Sequence, residues 1–179
     1  MEYIKTNDKD SFFKEMAGIC FQGNRLIKDP QGEAKLFGDN IKVPFLFLFA
    51  AMVMLIWMTV ELILEFNVLG LILVIALCAF LIWIGRYFYA YYSLINMFKK
   101  NYVEDLSIEC DADGLTQVVP SGTKTVFWNS IQGVRLFKYT MAFVPKEKGV
   151  PFVMLPIENL ENITAFLKEN EIDLPIIRK

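Results

Sequence analysis

The chain has 179 residues, of which 55% are hydrophobic, and its formal net charge is −2. The length suits one ordinary domain, but the apolar fraction is high for a soluble fold. The nearly balanced charge disfavours nucleic-acid binding, which usually needs a basic footprint.

The residue types present limit the chemistry. There is no histidine, which removes the commonest general base, the Ser-His and Cys-His pairs, and zinc sites built on imidazole. Cys20, Cys78 and Cys110 are far apart and form no CxxC pattern, so we expect buried, reduced thiols. No glycine-rich phosphate loop occurs. The sequence therefore predicts no metal, no cofactor and no enzyme activity.

The N-terminal stretch predicts a short strand at residues 1–4 and an amphipathic helix over 11–28. Ser11 is a suitable N-cap, and apolar residues follow at a spacing of 3.6. Such a helix is expected either to lie on a membrane surface or to pack against the C-terminal part of the chain. The Asp-Pro pair at 29–30 and Gly32 then end the pattern, and a looped connection follows.

The next region is almost wholly apolar, with Glu61, Glu65 and Arg86 as its only charges between residues 43 and 95. It begins too far from the first residue for a signal peptide, so we expect it to remain in the mature protein. Residues 43–64 would form a helix about 33 Å long, which matches the ~30 Å hydrocarbon core of a bilayer. A second run from residue 68 can continue past Ile84 to the same thickness. The sequence predicts two spans.

Glu61 does not prevent the first span. Thirteen Val, Leu, Ile or Phe residues in it each favour insertion by about 0.3 to 0.6 kcal/mol, whereas a central charge costs about 2.5 to 3.5 kcal/mol. We therefore expect Glu61 and Glu65 at the rim of a hairpin that turns at Glu65-Phe66-Asn67. The alternative is that Glu61 forms an intramembrane proton or ion site.

Basic residues set the expected orientation. They precede the first span and follow the second, whereas the turn has none, so both termini should be cytoplasmic. The aromatic cluster RYFYAYY falls where the second helix would leave the membrane, as in an interfacial belt, with an aromatic binding site as the alternative. The flanking basic residues are Arg25, Lys28, Lys35 and Lys42 before the spans, and Arg86, Lys99 and Lys100 at the end.

Beyond the membrane region, short alternating segments predict strands with one buried face. Turn signals separate them at 111–114, 121–122 and 146–149. A final helix within 158–171 places Leu160, Ile163, Phe166 and Leu167 on one face. The predicted strands cover 106–110, 115–119, 124–128, 134–139 with a continuation over 141–144, and 150–155.

Three stretches follow the two-helix hairpin in a set order: IECDADGL at 108–115, FWNSI at 127–131 and MLP at 154–156. With these, the chain resembles small bacterial membrane proteins of the YcxB-like type, which are related to bacterial pleckstrin-homology-like (PH-like) modules. The resemblance covers roughly residues 43–173. It implies a PH-like β fold capped by a helix and a bacterial plasma (inner) membrane, but it brings no settled activity. Members often carry a basic residue where this chain has Ile157, which weighs against transferring a phosphate contact there.

Two groups of residues are candidates for binding. The position of Trp128 at the end of an apolar strand predicts that it is a core residue whose indole N–H donates to a carbonyl. The alternative is that a ligand stacks on its ring. A basic edge could face anionic lipid, with a solvated hairpin as the competing interpretation. Its members are Arg135, Lys138, Lys146 and Lys148.

The predicted protein is thus an α+β membrane protein, with a two-helix transmembrane hairpin and a small antiparallel, PH-like β domain capped by a C-terminal helix. The division is an N-terminal segment at 1–42, the hairpin at 43–98 and the β domain at 99–179. Its expected partners are the bilayer and either another membrane protein or an anionic lipid, and a homo-oligomer stays open.

Three functions follow from this architecture. The first is a membrane-tethered binding or regulatory module. The second is oligomeric transport or ion coupling through Glu61. An enzyme using Asp111 and Asp113 is disfavoured, because Asp-Ala-Asp-Gly is a turn in which Asp forms local hydrogen bonds.

Overall fold

The computed structural model of the protein describes residues 5–32, 36, 42–101, 108–119 and 122–178. The strand predicted at residues 1–4 lies outside them. The described part is α+β, as predicted. Its elements are α1 Lys9–Lys28, α2 Lys42–Leu64, α3 Val68–Asn101, β1 Ile108–Cys110, β2 Gly114–Val119, β3 Gly122–Phe127, β4 Ile131–Leu136, β5 Thr140–Pro145, β6 Val153–Pro156, α4 Leu160–Glu169 and β7 Ile176–Arg178.

The chain forms two compact units. The first, here called the module, comprises Met1–Gly38 and Leu94–Lys179, so both ends of the chain contribute to it. The second, here called the hairpin, comprises Asp39–Ser93. The sequence-based division separated the N-terminal segment from the β domain, whereas in the structure both belong to one unit.

The hairpin reverses where the sequence predicted. The backbone N–H of Glu65 donates to the carbonyl of Glu61 (2.8 Å) in the last turn of α2. The side chain of Asn67 accepts a hydrogen bond from the N–H of Gly70 and so caps the first turn of α3. The turn predicted at Glu65-Phe66-Asn67 is therefore confirmed, and α3 runs on to Asn101.

Both hairpin helices are long and apolar enough to cross a bilayer, over Leu46–Leu64 and Val68–Lys100. In each helix, no residue of the most apolar 18-residue stretch is buried within the protein. Ile63 and Leu64 are each 77% exposed. A helix from a soluble core would bury such side chains, and soluble proteins rarely expose apolar patches of this extent. The one hydroxyl of α2, on Thr59, donates to the Leu55 carbonyl (2.7 Å) within the helix.

The described residues of the module form two sheets. One has the strand order β1-β2-β3, and the other has the order β6-β5-β4-β7, with β7 parallel to β4 and all other pairs antiparallel. The strand predicted over 134–139 with a continuation over 141–144 is in fact two strands. The chain reverses between Leu136 and Met141, which are paired across β4 and β5, and the Phe137 N–H donates to the Thr140 carbonyl (2.8 Å). Strand β7 was not predicted.

Strand β5 is buried on both faces along all six residues. Met141 and Phe143 face a core shared with the first sheet and α4, while Ala142 and Val144 face a second core under α1. This alternation assigns each face of the β6-β5-β4-β7 sheet to its own hydrophobic cluster. The predicted face of the last helix is confirmed, since all four of its apolar residues pack on the first core.

Helix α1 covers the second face and contributes Ile19 and Leu26 to that core. The predicted N-cap was wrong, because Asp8 accepts from the Ser11 N–H (3.0 Å) in the cap position. Hydrogen bonding from the Ser11 side chain, and next from this backbone N–H, lowers the pKa of the Asp8 carboxyl. Of the two placements expected for this helix, the structure has the one against the C-terminal part of the chain.

Polar contacts hold α1 in place over long sequence distances. The Glu15 carboxylate accepts from the backbone N–H groups of Lys138 (3.1 Å) and Tyr139 (2.8 Å) at the β4–β5 turn. At the other end of the helix, the Gln132 side-chain amide donates to the Ile27 carbonyl (3.0 Å). Hydrogen bonds at both ends fix the position of the helix along the sheet.

Arg135 attaches the segment after α1 to strand β4. It is 1% exposed, and its Nη1 donates to the Pro30 carbonyl (2.7 Å) while Nη2 donates to the Gly32 carbonyl. Its Nε has no hydrogen-bond partner within the described residues. Burial lowers the pKa of Arg135, and the nearby Asp29 opposes this shift. The guanidinium fork is suited to this position because it reaches two carbonyls at once.

We expect Arg135→Lys to destabilise the module more than Arg135→Met. The lysine keeps a buried charge but loses the two-pronged geometry, so we expect a loss of about 2–3 kcal/mol; Met removes the charge and should cost about 1–2 kcal/mol. The measurement is denaturant unfolding of the full chain in detergent. The opposite order of the two variants would contradict this role of the guanidinium.

Candidate functional site

Trp128 is a core residue. It is 7% exposed, and its ring lies 6.2 Å from Phe143 and 6.1 Å from Phe166, measured between ring centroids. Its indole Nε1–H donates to the Asp111 carbonyl (2.9 Å). An aromatic side chain that is buried and has its polar atom paired inside the protein offers little surface for stacking on a ligand.

The Asp-Ala-Asp-Gly turn packs against this tryptophan. One carboxylate oxygen of Asp111 accepts hydrogen bonds from the N–H groups of Asp113 (3.0 Å) and Gly114 (2.8 Å), and these bonds stabilise the turn. A Cβ on Gly114 would lie 2.4 Å from the Val126 carbonyl oxygen, which explains why glycine stands there. The backbone N–H of Trp128 donates to the Asp113 carbonyl (3.0 Å). Two of the stretches that carry the family resemblance thus form one structural unit.

The described residues contain no group of three or more Cys, Asp or Glu side chains that could hold a metal ion. In particular, Asp111 and Asp113 do not converge with a third acidic residue within that part of the chain. The enzyme hypothesis therefore gains no metal site from the geometry of this turn.

The four predicted basic residues do not come together. Arg135 is in the interior, and Lys138 lies in the β4–β5 turn with its Nζ 4.9 Å from the centre of the Tyr139 ring. Lys146 and Lys148 are exposed in the loop after β5. Since β5 has six residues, the two ends of this hairpin are roughly 20 Å apart. The arrangement is two separate exposed sites and one buried cation, not a continuous basic edge.

Ile157 and Glu61 are the other positions singled out from the sequence. Ile157 packs partly buried against the main core, and its N–H donates to the Tyr139 carbonyl (3.1 Å). It therefore has a packing role. Glu61 is exposed near the end of α2, one helical turn before Glu65, which is also exposed.

A groove lies open between α4 and β7, and sequence reasoning missed it. Its volume is about 740 Å³. On the helix side its lining residues recur at spacings of three and four, as expected for one helical face, and on the strand side they are two apart. The lining consists of Leu160, Glu161, Thr164, Ala165, Lys168, Ile176 and Arg178.

The charges of this α4–β7 groove are available to a ligand. Glu161, Lys168 and Arg178 make no ion pair within the part of the chain that the structure describes. Ile176 keeps 37% of its surface exposed between them. An apolar strip flanked by unpaired charges of both signs is typical of a polar-rimmed protein contact rather than of a packed interior. The only sequence signal was the β-branched pair Ile176-Ile177 after a proline.

None of the three comparisons, with family models, with curated proteins and with solved structures, finds a match for this chain. The functional proposal below therefore rests on the geometry of the two units and on the sequence.

The cysteines divide by environment. Cys20 is exposed, contrary to the expectation that all three thiols are buried, whereas Cys78 and Cys110 are half-buried. Burial raises the pKa of the Cys110 thiol to about 11, and the neighbouring Asp111 acts in the same direction. Because the thiolate is the reactive form, the folded module suppresses the reactivity of Cys110.

We expect alkylation of Cys110 in a Cys20→Ser, Cys78→Ser chain to rise about tenfold per pH unit from 8 to 10 without a plateau. With a pKa of about 11, only about a thousandth of this thiol is ionised at pH 8. In denaturant the same thiol should reach its plateau above about pH 9. A native-state plateau at or below pH 9 would show that burial does not control this group.

Proposed function

We propose that the protein is a membrane-tethered cytoplasmic binding or regulatory module and that it performs no catalysis of its own. The hairpin holds the module at the bilayer surface, which raises its effective concentration toward another membrane protein or a lipid headgroup. The α4–β7 groove is the binding surface that we assign to it.

One observation carries the proposal: the module is built from both sides of the hairpin. Glu15 from the N-terminal segment accepts hydrogen bonds at Lys138 and Tyr139, and Gln132 donates to Ile27. A chain whose two ends fold together must leave and re-enter the membrane on the same side. Two spans satisfy that condition, and a single span does not.

The bilayer is the solvent that best suits the hairpin. Between its two ends, a spanning helix pairs its backbone groups within itself, and lipid can cover apolar side chains that face outward. The exposed apolar surface of α2 and α3 has this character. The distribution of Lys and Arg supports a cytoplasmic position of the module.

We assign the chain to the YcxB-like type and to the plasma (inner) membrane of a bacterium. Two mainly antiparallel sheets with a helix near the C-terminus support a PH-like arrangement. The order of hairpin, DADG turn, FWNSI stretch and final helix supports the family resemblance. These features suit recognition of a partner, since a fold of this kind presents edges and grooves on a rigid core.

We expect a cysteine at position 67 to react with a membrane-impermeant maleimide added to intact cells. Asn67→Cys, in a chain whose native cysteines are Ser, lies in the turn between the two spans. Cys20 and a Glu169→Cys variant report on the two halves of the module and should react only after the cells are permeabilised. Labelling of positions 20 and 169 from opposite sides would refute the proposal.

The competing hypothesis of ion coupling requires Glu61 and several chains, because two helices cannot line a path alone. Under the proposal made here, Glu61→Gln leaves growth, membrane potential and oligomeric state as in the native chain, like the control Glu65→Gln one turn away. A defect in Glu61→Gln alone would favour the transport function.

A further inference from the structure

We propose that the α4–β7 groove binds an extended peptide with an acidic side chain, which adds to the sheet as a strand beside β7. This inference rests on the proposed binding function and specifies the class of partner. The peptide would be a segment from the cytoplasmic part of another membrane protein, and the hairpin would keep the module within reach of it.

The first support is the open edge of the sheet. In the order β6-β5-β4-β7, β7 has β4 as its only neighbour among the described strands. The Val134 N–H donates to the Pro175 carbonyl (2.9 Å), so the backbone of residue 175 points toward β4. Successive residues of a strand alternate in direction, and the N–H and C=O of Ile176 therefore point away from β4. These groups are the template that strand addition uses.

The second support is the wall that α4 forms along this edge. Thr164 and Ala165 line the groove with short side chains, and they leave the space that an incoming strand needs for its own side chains. Ile176 supplies apolar surface at the base of the groove. In strand addition the backbone provides affinity and such side-chain pockets provide selectivity.

The third support is charge. Lys168 and Arg178 place two cations on the lining against the single anion of Glu161, and none of the three is paired within the described residues. The arginine can hold a carboxylate with two parallel hydrogen bonds. An acidic side chain on the peptide satisfies this excess of positive charge, whereas a basic one is repelled.

A second copy of the chain fits this edge less well. The strand has three residues, so pairing of two such edges buries far less than the ~1,000 Å² that a specific interface needs. Two copies would also bring grooves of like net charge together. A longer peptide avoids both difficulties, because it can extend past the strand along α4.

The experiment uses the full chain in nanodiscs and a phage-displayed library of random twelve-residue peptides. Ala165→Trp fills the groove from an exposed position of α4, and Glu169→Trp is its control on the same helix outside the lining. A Lys168→Glu, Arg178→Glu double variant reverses the charge. Cys110 alkylation checks that each variant is folded.

We expect enriched peptides with alternating apolar residues and an Asp or Glu. Synthetic versions should lose about tenfold or more in affinity for Ala165→Trp and for the charge-reversed variant, and stay within about twofold for Glu169→Trp. N-methylation of the peptide backbone should weaken binding at every second position, since only alternate N–H groups face the strand.

Three outcomes would overturn the inference: no enrichment over empty nanodiscs, peptides that bind Ala165→Trp as well as the native chain, or a chain that dimerises through the groove. A cytoplasmic module that passes the topology test but binds no peptide here would leave the tether in place and remove this partner. Failure of the topology test would instead remove the proposed function itself.

Discussion

The module depends on the burial of strand β5 on both faces. Met141 and Phe143 can be covered by the first sheet and α4, but Ala142 and Val144 need a second layer, and α1 supplies it. Without that layer the sheet would expose an apolar face to water, which costs a free energy of roughly 25 cal/mol for each Å² of apolar surface. Covering that face brings the N-terminal helix next to strands that follow the hairpin in the sequence. The packing thus joins the two ends of the chain in one compact unit.

The sequence predicted the local elements well because their signals are local. The period of the apolar residues located α1 and α4, and the charged Glu65-Phe66-Asn67 interruption located the hairpin turn. The alternation of short segments located most of the first sheet. In these places the residue that decides the structure lies within a few positions of its partner, as in the Asn67 cap of α3.

The prediction was weaker where distant residues decide the structure. The run Met141 to Val144 has no polar interruption, which is typical of a strand covered on both faces, but the covering element could not be named from that run. Arg135 was assigned to a basic edge because Lys138, Lys146 and Lys148 follow it in the sequence. Its actual partners are carbonyls more than 100 positions earlier. The α4–β7 groove was also missed, because its edge strand has only three residues and gives little sequence signal.

The long-range closure also affects how the protein is made. Helix α1 leaves the ribosome before the rest of the module, and the Tyr139 N–H that donates to Glu15 comes 124 residues later. Between these events the two long apolar helices α2 and α3 are synthesised, while the apolar face of α1 has no sheet to cover it. Chains with such distant contacts fold slowly and expose hydrophobic surface until those contacts form. The apolar face of α1 therefore stays uncovered until strands β4 and β5 have been made.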